Sequence, residues 1–249
     1  MNPNYPAWLA EQKYAENTQS AQIHRVKKVE DAYGSLDDRF KDGTYQELID
    51  ALTYSTEDER ANKPNPSKIK FDGNIRNNLQ SYKNAVVRYR KFLTDAGFQS
   101  IPLREQATSS ISAMDSVATE DFNQQKQQPF SLERDMQAAL RLNIASLDPG
   151  LKIIDDGAER AVDSGFIDIT CEDAKGIVVV ELKAGTADSR AIGQILGYMG
   201  DLQQEEGGKS VRGILVAHNF DQRSKSASRV VSTLTLKKYS IEFKFVTAE

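Results

Sequence analysis

Asp168, Glu181 and Lys183 are the residues whose types and spacing point most directly to chemistry. Val178, Val179 and Val180 form an apolar run bounded by turn residues, the pattern of a strand covered on both faces. Side chains alternate along a strand, so Ile177, Val179, Glu181 and Lys183 share one face. Burying a charge is costly unless it is paired or bound to a metal, and a fold alone has no need of it there. Asp168 stands between Ile167 and Ile169 in what reads as the preceding strand. A hairpin through Glu172–Gly176 brings Asp168 near Glu181. Two adjacent carboxylates repel each other, and a divalent cation removes that repulsion. Oxygen ligands of this kind suit Mg²⁺, with Mn²⁺ as a substitute. Lys183 is then placed to hold or deprotonate a water, or to steady a phosphate. The alternative is a partly exposed Asp with a Glu–Lys pair at a strand end, and the pattern alone leaves both open.

The elements that must position these residues occupy 129–249. SLERDMQAALRLNIASL reads as an amphipathic helix capped by Ser131. Two strands follow, then a helix capped by Asp188, the strand VRGILVAHNF, a further helix from Asp221 and a last strand, SIEFKFV. Strands interleaved with helices in this way indicate a mixed α/β domain. Residues 98–128 are rich in Ser, Thr and Gln and read as a linker. Residues 1–97 read as a mostly α-helical domain. WLAEQKYAENTQSAQIHRVKKVEDAYGSL and YQELIDALTYS have helical periodicity, and STEDERANKPNPSK reads as a loop. A long helix follows with Leu79, Tyr82, Ala85, Val86, Tyr89 and Leu93 in one stripe, stopped near Gly97.

Composition sets the class. At 249 residues, with 39% hydrophobic and 27% charged residues, the chain is an ordinary globular protein of one or two domains. No apolar run is long enough for a membrane helix, and no leader is expected, so a cytoplasmic setting follows. A single cysteine, Cys171, excludes an internal disulfide and a cysteine zinc cluster; with only His24 and His218, a histidine-rich metal site is excluded too. Cys171 and His218 are read as structural. The net charge of −4 is unlike the basic balance of many nucleic-acid binders. A metal-dependent nuclease whose basic residues are local accommodates it.

Asp168, twelve intervening residues, then Glu181-Leu182-Lys183 resembles the PD-(D/E)XK nuclease pattern, with Ile167 in place of its proline. GFIDITCEDAKGIVVVELKAGTADSRAIGQILGYM followed by VRGILVA is similar to the catalytic domain of NucS-type (EndoMS-like) endonucleases, over about residues 131–246. The resemblance implies a restriction-endonuclease-like mixed sheet flanked by helices, with Asp168 and Glu181 as metal ligands. It implies Glu133 as a further acidic site residue, where the other reading is favourable charge in a helix's first turn. It places Gln194 beside the site; Tyr198, four residues on, reads as core. Gly165 permits close packing or a turn before Asp168.

That family's amino-terminal half is a small β domain for DNA binding and dimerisation, whereas this chain has helices there. NIRNNLQSYKNAVVRYRKFL is loosely similar to the core-binding domain of tyrosine recombinases. Within 74–96, Arg76, Lys83, Arg88, Arg90 and Lys91 stand against one acid, Asp95. They form either a phosphate-binding stripe or a solvated helix face. The expectation is a Mg²⁺-dependent endonuclease acting on double-stranded DNA as a homodimer, of restriction or phage-defence type. The alternative is a repair enzyme for mismatched or branched DNA. From other classes come an inactive DNA-binding protein and a helical interaction adaptor.

Overall fold

The computed structural model describes residues 1–95 and 132–241. The helical half comprises α1 (Tyr5–Glu11), α2 (Glu16–Tyr33), α3 (Leu36–Lys41), α4 (Tyr45–Ala51), α5 (Thr56–Arg60) and α6 (Ile75–Thr94). Helix α6 starts where the Asn74 side chain accepts the Asn77 amide at 2.8 Å, satisfying an otherwise orphaned donor. Its Leu79, Tyr82, Ala85, Val86 and Tyr89 are buried as their spacing predicts. Phe92 is buried too, while Leu93 is only partly covered. Tyr5 packs edge-on against Tyr89 with ring centroids 4.7 Å apart, and Trp8 lies against Phe92, so α1 closes over the end of α6. Two sequence readings are corrected here. The first periodic stretch is two helices, because the chain turns at Lys13 with φ 61°. The predicted loop after Thr53 contains α5, nucleated by a capping box between Ser55 and Asp58.

The second half begins with α7, residues 132–142. Its strands are β1 (Lys152–Ile153), β2 (Arg160–Val162), β3 (Gly165–Ile167), β4 (Ile169–Asp173), β5 (Gly176–Ala187), β6 (Val211–Phe220) and β7 (Leu234–Lys238). Helix α8 (Ser189–Glu205) joins β5 to β6, and α9 (Gln222–Ser228) joins β6 to β7. The five-stranded sheet has the order β1-β4-β5-β6-β7. Its β1, β4 and β5 are antiparallel neighbours, whereas β5, β6 and β7 run parallel. This is the mixed sheet flanked by helices that the sequence implied. The Asp188 carboxylate caps α8 through the Arg190 and Ala191 amides, as expected. Ser131, the linker 98–128, Gly97 and most of the expected last strand lie outside the described residues.

Strand β5 runs through the centre. Val178, Val180 and Leu182 join one core cluster, against which Met136 and Leu140 of α7 pack. Ile177 and Val179 join the other, with Ile195, Tyr198 and Leu202 of α8. Both faces are therefore covered, which is why this strand reads as continuous valine. The β2–β3 hairpin forms a separate two-stranded sheet. It also seats the helical half: Ala158, just before it, belongs to the helical core. No helix among the described residues is long and apolar enough to cross a membrane.

Candidate active site

Register brings the first two carboxyl groups together. Ile169 pairs with Val180, which sets Asp168 opposite Glu181 at the end of the antiparallel pair. Asp168 is not inside a strand, as the sequence suggested. It occupies the bend where the chain leaves the small hairpin and enters the main sheet. The bend is held on both sides. The Asp168 carbonyl accepts from Gln137 Nε2 at 2.6 Å and from Arg141 Nη2 at 2.5 Å. Its carboxylate accepts the Leu182 amide at 2.8 Å. Arg141 is itself locked by a two-pronged ion pair with buried Asp155, and Asp155 also accepts the Thr170 amide at 2.7 Å. Sequence reasoning missed Gln137, Arg141 and Asp155. Their only sequence signal is polar residues on the inner face of α7 and beside the short β1.

Glu181 is 2% exposed, and its Oε2 is buried with no hydrogen-bond partner. Its Oε1 accepts from Lys183 Nζ at 2.9 Å. Burial and then the Glu181 charge push the Asp168 carboxyl well above the usual carboxylate range. Burial likewise raises Glu181, against the pull of Lys183. Burial alone would discharge Lys183, but the Glu181 carboxylate outweighs it and holds the ammonium charged. Among the described residues no three His, Cys, Asp or Glu side chains converge on a point that could hold a metal ion. Two carboxylates with an unpartnered inward oxygen nevertheless fit Mg²⁺, which keeps several waters and is commonly bound through one or two carboxylates plus a phosphate.

These groups share a cleft of about 390 Å³ with Glu133, Gln194 and Tyr198. Glu133 reaches across from α7 to accept the Ala184 amide at 2.9 Å. Gln194 Nε2 donates to the Tyr198 hydroxyl at 2.7 Å, so Tyr198 is both core and cleft lining. Gly165 has a φ of 147°, and a Cβ there would lie 3.0 Å from that hydroxyl, so its glycine is required by close approach. The far wall comes from the helical half, through Gln12 and Lys91.

The five basic residues of α6 do not make one exposed stripe. Arg88 is 1% exposed; it donates to Gln22 at 2.9 Å, to the Tyr14 hydroxyl at 3.2 Å and to Glu159. Arg76 pairs with Glu206 at 2.7 Å, and Lys83 lies 3.8 Å from Glu205. Arg90 lies over the Tyr45 ring, 6.0 Å from its centroid. Lys91 alone of the five lines the cleft. Helical spacing places these side chains but does not show which face the other half covers. Cys171 is buried, and His218 packs edge-on against Tyr239.

A mixed sheet carrying Asp168 at a bend, with Glu181 and Lys183 on the adjoining strand, has the PD-(D/E)XK architecture. Residues 132–243 match the family described as the endonuclease NucS C-terminal domain. Endonuclease NucS of Thermococcus kodakarensis is 35% identical over 94 residues, 37% of this chain and 36% of that protein. Endonuclease NucS of Methanopyrus kandleri is 33% identical over 116 residues, 46% of this chain and 40% of that protein. A solved structure described as a repair endonuclease from Pyrococcus abyssi is 33% identical, covering 43% of this chain and 46% of that one with a TM-score of 0.39. The chain thus spans less than half the length of the relatives it matches. The family match begins at residue 132, after the helical half.

Proposed function

We propose that this protein is a DNA repair endonuclease that hydrolyses phosphodiester bonds in double-stranded DNA. The observation that carries the reading is the pair of facing carboxyl groups of Asp168 and Glu181, both raised by burial, with Glu181 Oε2 left unpartnered, in a stretch that matches the NucS C-terminal domain. Asp168 and Glu181 are the proposed Mg²⁺ ligands. The ion would supply a water of lowered pKa and neutralise charge on the phosphate. Lys183 Nζ donates to Glu181 Oε1 and has further N–H donors. In this reading it steadies the attacking water or a phosphate oxygen. Glu133 keeps one oxygen on the Ala184 amide and has the other available to a water. The Gln194 amide is oriented by Tyr198, leaving its carbonyl oxygen as an acceptor in the cleft.

The expectation of restriction or phage defence is not supported, because the relatives are NucS endonucleases. The repair alternative fits them, with mismatched or branched DNA as the substrate class. Cutting both strands takes two sites, and a homodimer is the simplest way to supply them. Plasmid, mismatched and branched DNA cleaved in parallel, with Mg²⁺, Mn²⁺, Ca²⁺ and excess EDTA, tests the whole reading. Cleavage of mismatched or branched DNA in Mg²⁺ or Mn²⁺, with binding but little turnover in Ca²⁺, is expected. Discrete cutting of fully paired DNA would restore the restriction reading. Activity undiminished in EDTA would remove the metal. DNA binding without cleavage in any metal would leave an inactive binder, and neither binding nor cleavage would leave the adaptor.

A further inference from the structure

The helical half does more than sit beside the catalytic domain. Gln12, at the end of α1, and Lys91, in the last turn of α6, line the cleft that holds Asp168, Glu181 and Lys183. A second pocket of about 380 Å³ runs along the seam between the halves, and Gln12, Arg134 and Gln137 line both. The cleft therefore adjoins this second pocket, and both are lined from the two halves of the chain.

Lys91 sits at the outer edge of that seam, where its charge helps hold Glu159 ionised without making the seam's closest contacts. Its neighbour Glu159 is already bound by the Arg88 guanidinium and the Tyr14 hydroxyl. The Lys91 ammonium stands 4.0 Å from Glu159, the outer limit of an ion pair, and 4.9 Å from the centroid of the Phe166 ring. Its side chain is 44% exposed, against 1% for Arg88 and 11% for Glu159. Phe166 is two residues from Asp168, so the ring holds the ammonium at the mouth of the site. The mouth needs positive charge. Glu133, Glu159, Asp168 and Glu181 all face the cleft, against Lys183, Arg134 and Lys91, and an entering polyanion would meet mostly acids.

We propose that Lys91 is a substrate-binding residue that takes a phosphate of the strand entering the cleft, which makes the helical half a fixed wall of the active site. The proposal rests on the nuclease reading above. Its test is the whole chain with Lys91→Ala, Lys91→Arg and, as a control, Lys70→Ala, an exposed lysine of the same half outside the cleft. Lys91→Ala should raise KM about fivefold with kcat nearly unchanged, as expected of an interaction present equally before and during the reaction. In Ca²⁺ the slope of log affinity against log salt should fall by about one, the loss of one phosphate contact. Lys91→Arg should restore both, and Lys70→Ala should move neither. If the alanine variant melts lower, Lys91→Gln keeps the stem over Phe166 and must show the same loss. A wild-type chain that cleaves DNA while Lys91→Ala or Lys91→Gln matches it overturns this inference alone, as does an equal loss in Lys70→Ala. A wild-type chain with no affinity for DNA overturns both readings.

Discussion

At the seam between the halves, buried acids face bases; in the cleft, buried acids face each other. Burial opposes the charge of Glu159, yet Lys91, Arg88 and the Tyr14 hydroxyl hold its carboxyl down at about 2. Burial also opposes Glu206, and Arg76, Arg160 and Lys209 hold it at about 2. The seam is not perfectly satisfied. Glu205 Oε1 and Arg160 Nε lack hydrogen-bond partners, but both side chains stand in ion pairs. In the cleft, burial pushes both Asp168 and Glu181 up and the Glu181 charge raises Asp168 further, with Lys183 as the nearest compensation. Burial opposes charge in both regions, and the number of basic partners separates them: Glu159 and Glu206 each have more than one, whereas Lys183 is the one that pairs with Glu181 among the described residues. Paired charges join the two halves, while the facing carboxyl groups of the cleft are only partly compensated, by Lys183.

The strongest way to break this comparison is to remove the cleft charges. Asp168→Ala, Glu181→Ala and Lys183→Ala should each lower cleavage by about 10³-fold or more, without lowering the melting temperature of the metal-free protein. Full activity in Glu181→Ala would end the proposal. The seam should respond in the opposite way. Arg88→Ala removes the buried guanidinium that pairs with Glu159 and should cost about 3–5 kcal/mol of stability. Denaturant melts that coincide with wild type would show that the seam does not depend on Arg88.

A smaller effect tests the bend at Asp168. Arg141→Lys keeps the charge but loses the fork that grips Asp155 and the Asp168 carbonyl. We expect kcat to fall about 10–100-fold with KM little changed, the usual size of an effect on a group that orients a ligand. An unchanged kcat would mean that the amide of Gln137 suffices. The smallest effects are in pH. Asp168 and Glu181 lose their protons more readily in the unfolded chain than in the metal-free fold. Their contribution to stability therefore falls as pH rises above the ordinary carboxylate range. Asp168→Asn should raise the metal-free melting temperature at neutral pH by about 2–4 °C for each kcal/mol of repulsion relieved, and less at pH 4. Glu159 and Glu206 run the other way: their contribution is present above the ordinary carboxylate range and is lost as pH falls towards about 2. Differential scanning calorimetry across that range reads both signs.

The sequence was most informative where the period of a single element decides the outcome. The valine run of β5 sets the faces on which Glu181 and Lys183 sit, and the turn before Gly176 sets the register of Asp168. It was least informative where contacts cross the chain. Nothing near Arg88 predicts that Glu159, 71 residues away, will bury it. The bend at Asp168 depends on a three-residue hairpin, β2–β3, too short for its alternation to register against the surrounding turns. Gln137 and Arg141 read as the polar side of α7, because their role depends on a carbonyl and not on any side-chain pattern.

Arg88 also has a consequence for the order in which the molecule is assembled. Its partners Tyr14 and Gln22 are made before it, but its countercharge is not. Glu159 follows 71 residues later, an interval of about 4–14 s at ordinary rates of synthesis. Until then the helical half must carry a guanidinium in its interior without an acid to answer it, and its core is expected to stay loose. A chain ending at residue 95 should therefore melt broadly by circular dichroism and below the temperature of the whole protein. A sharp transition at the full-length temperature would mean that the helices settle on their own.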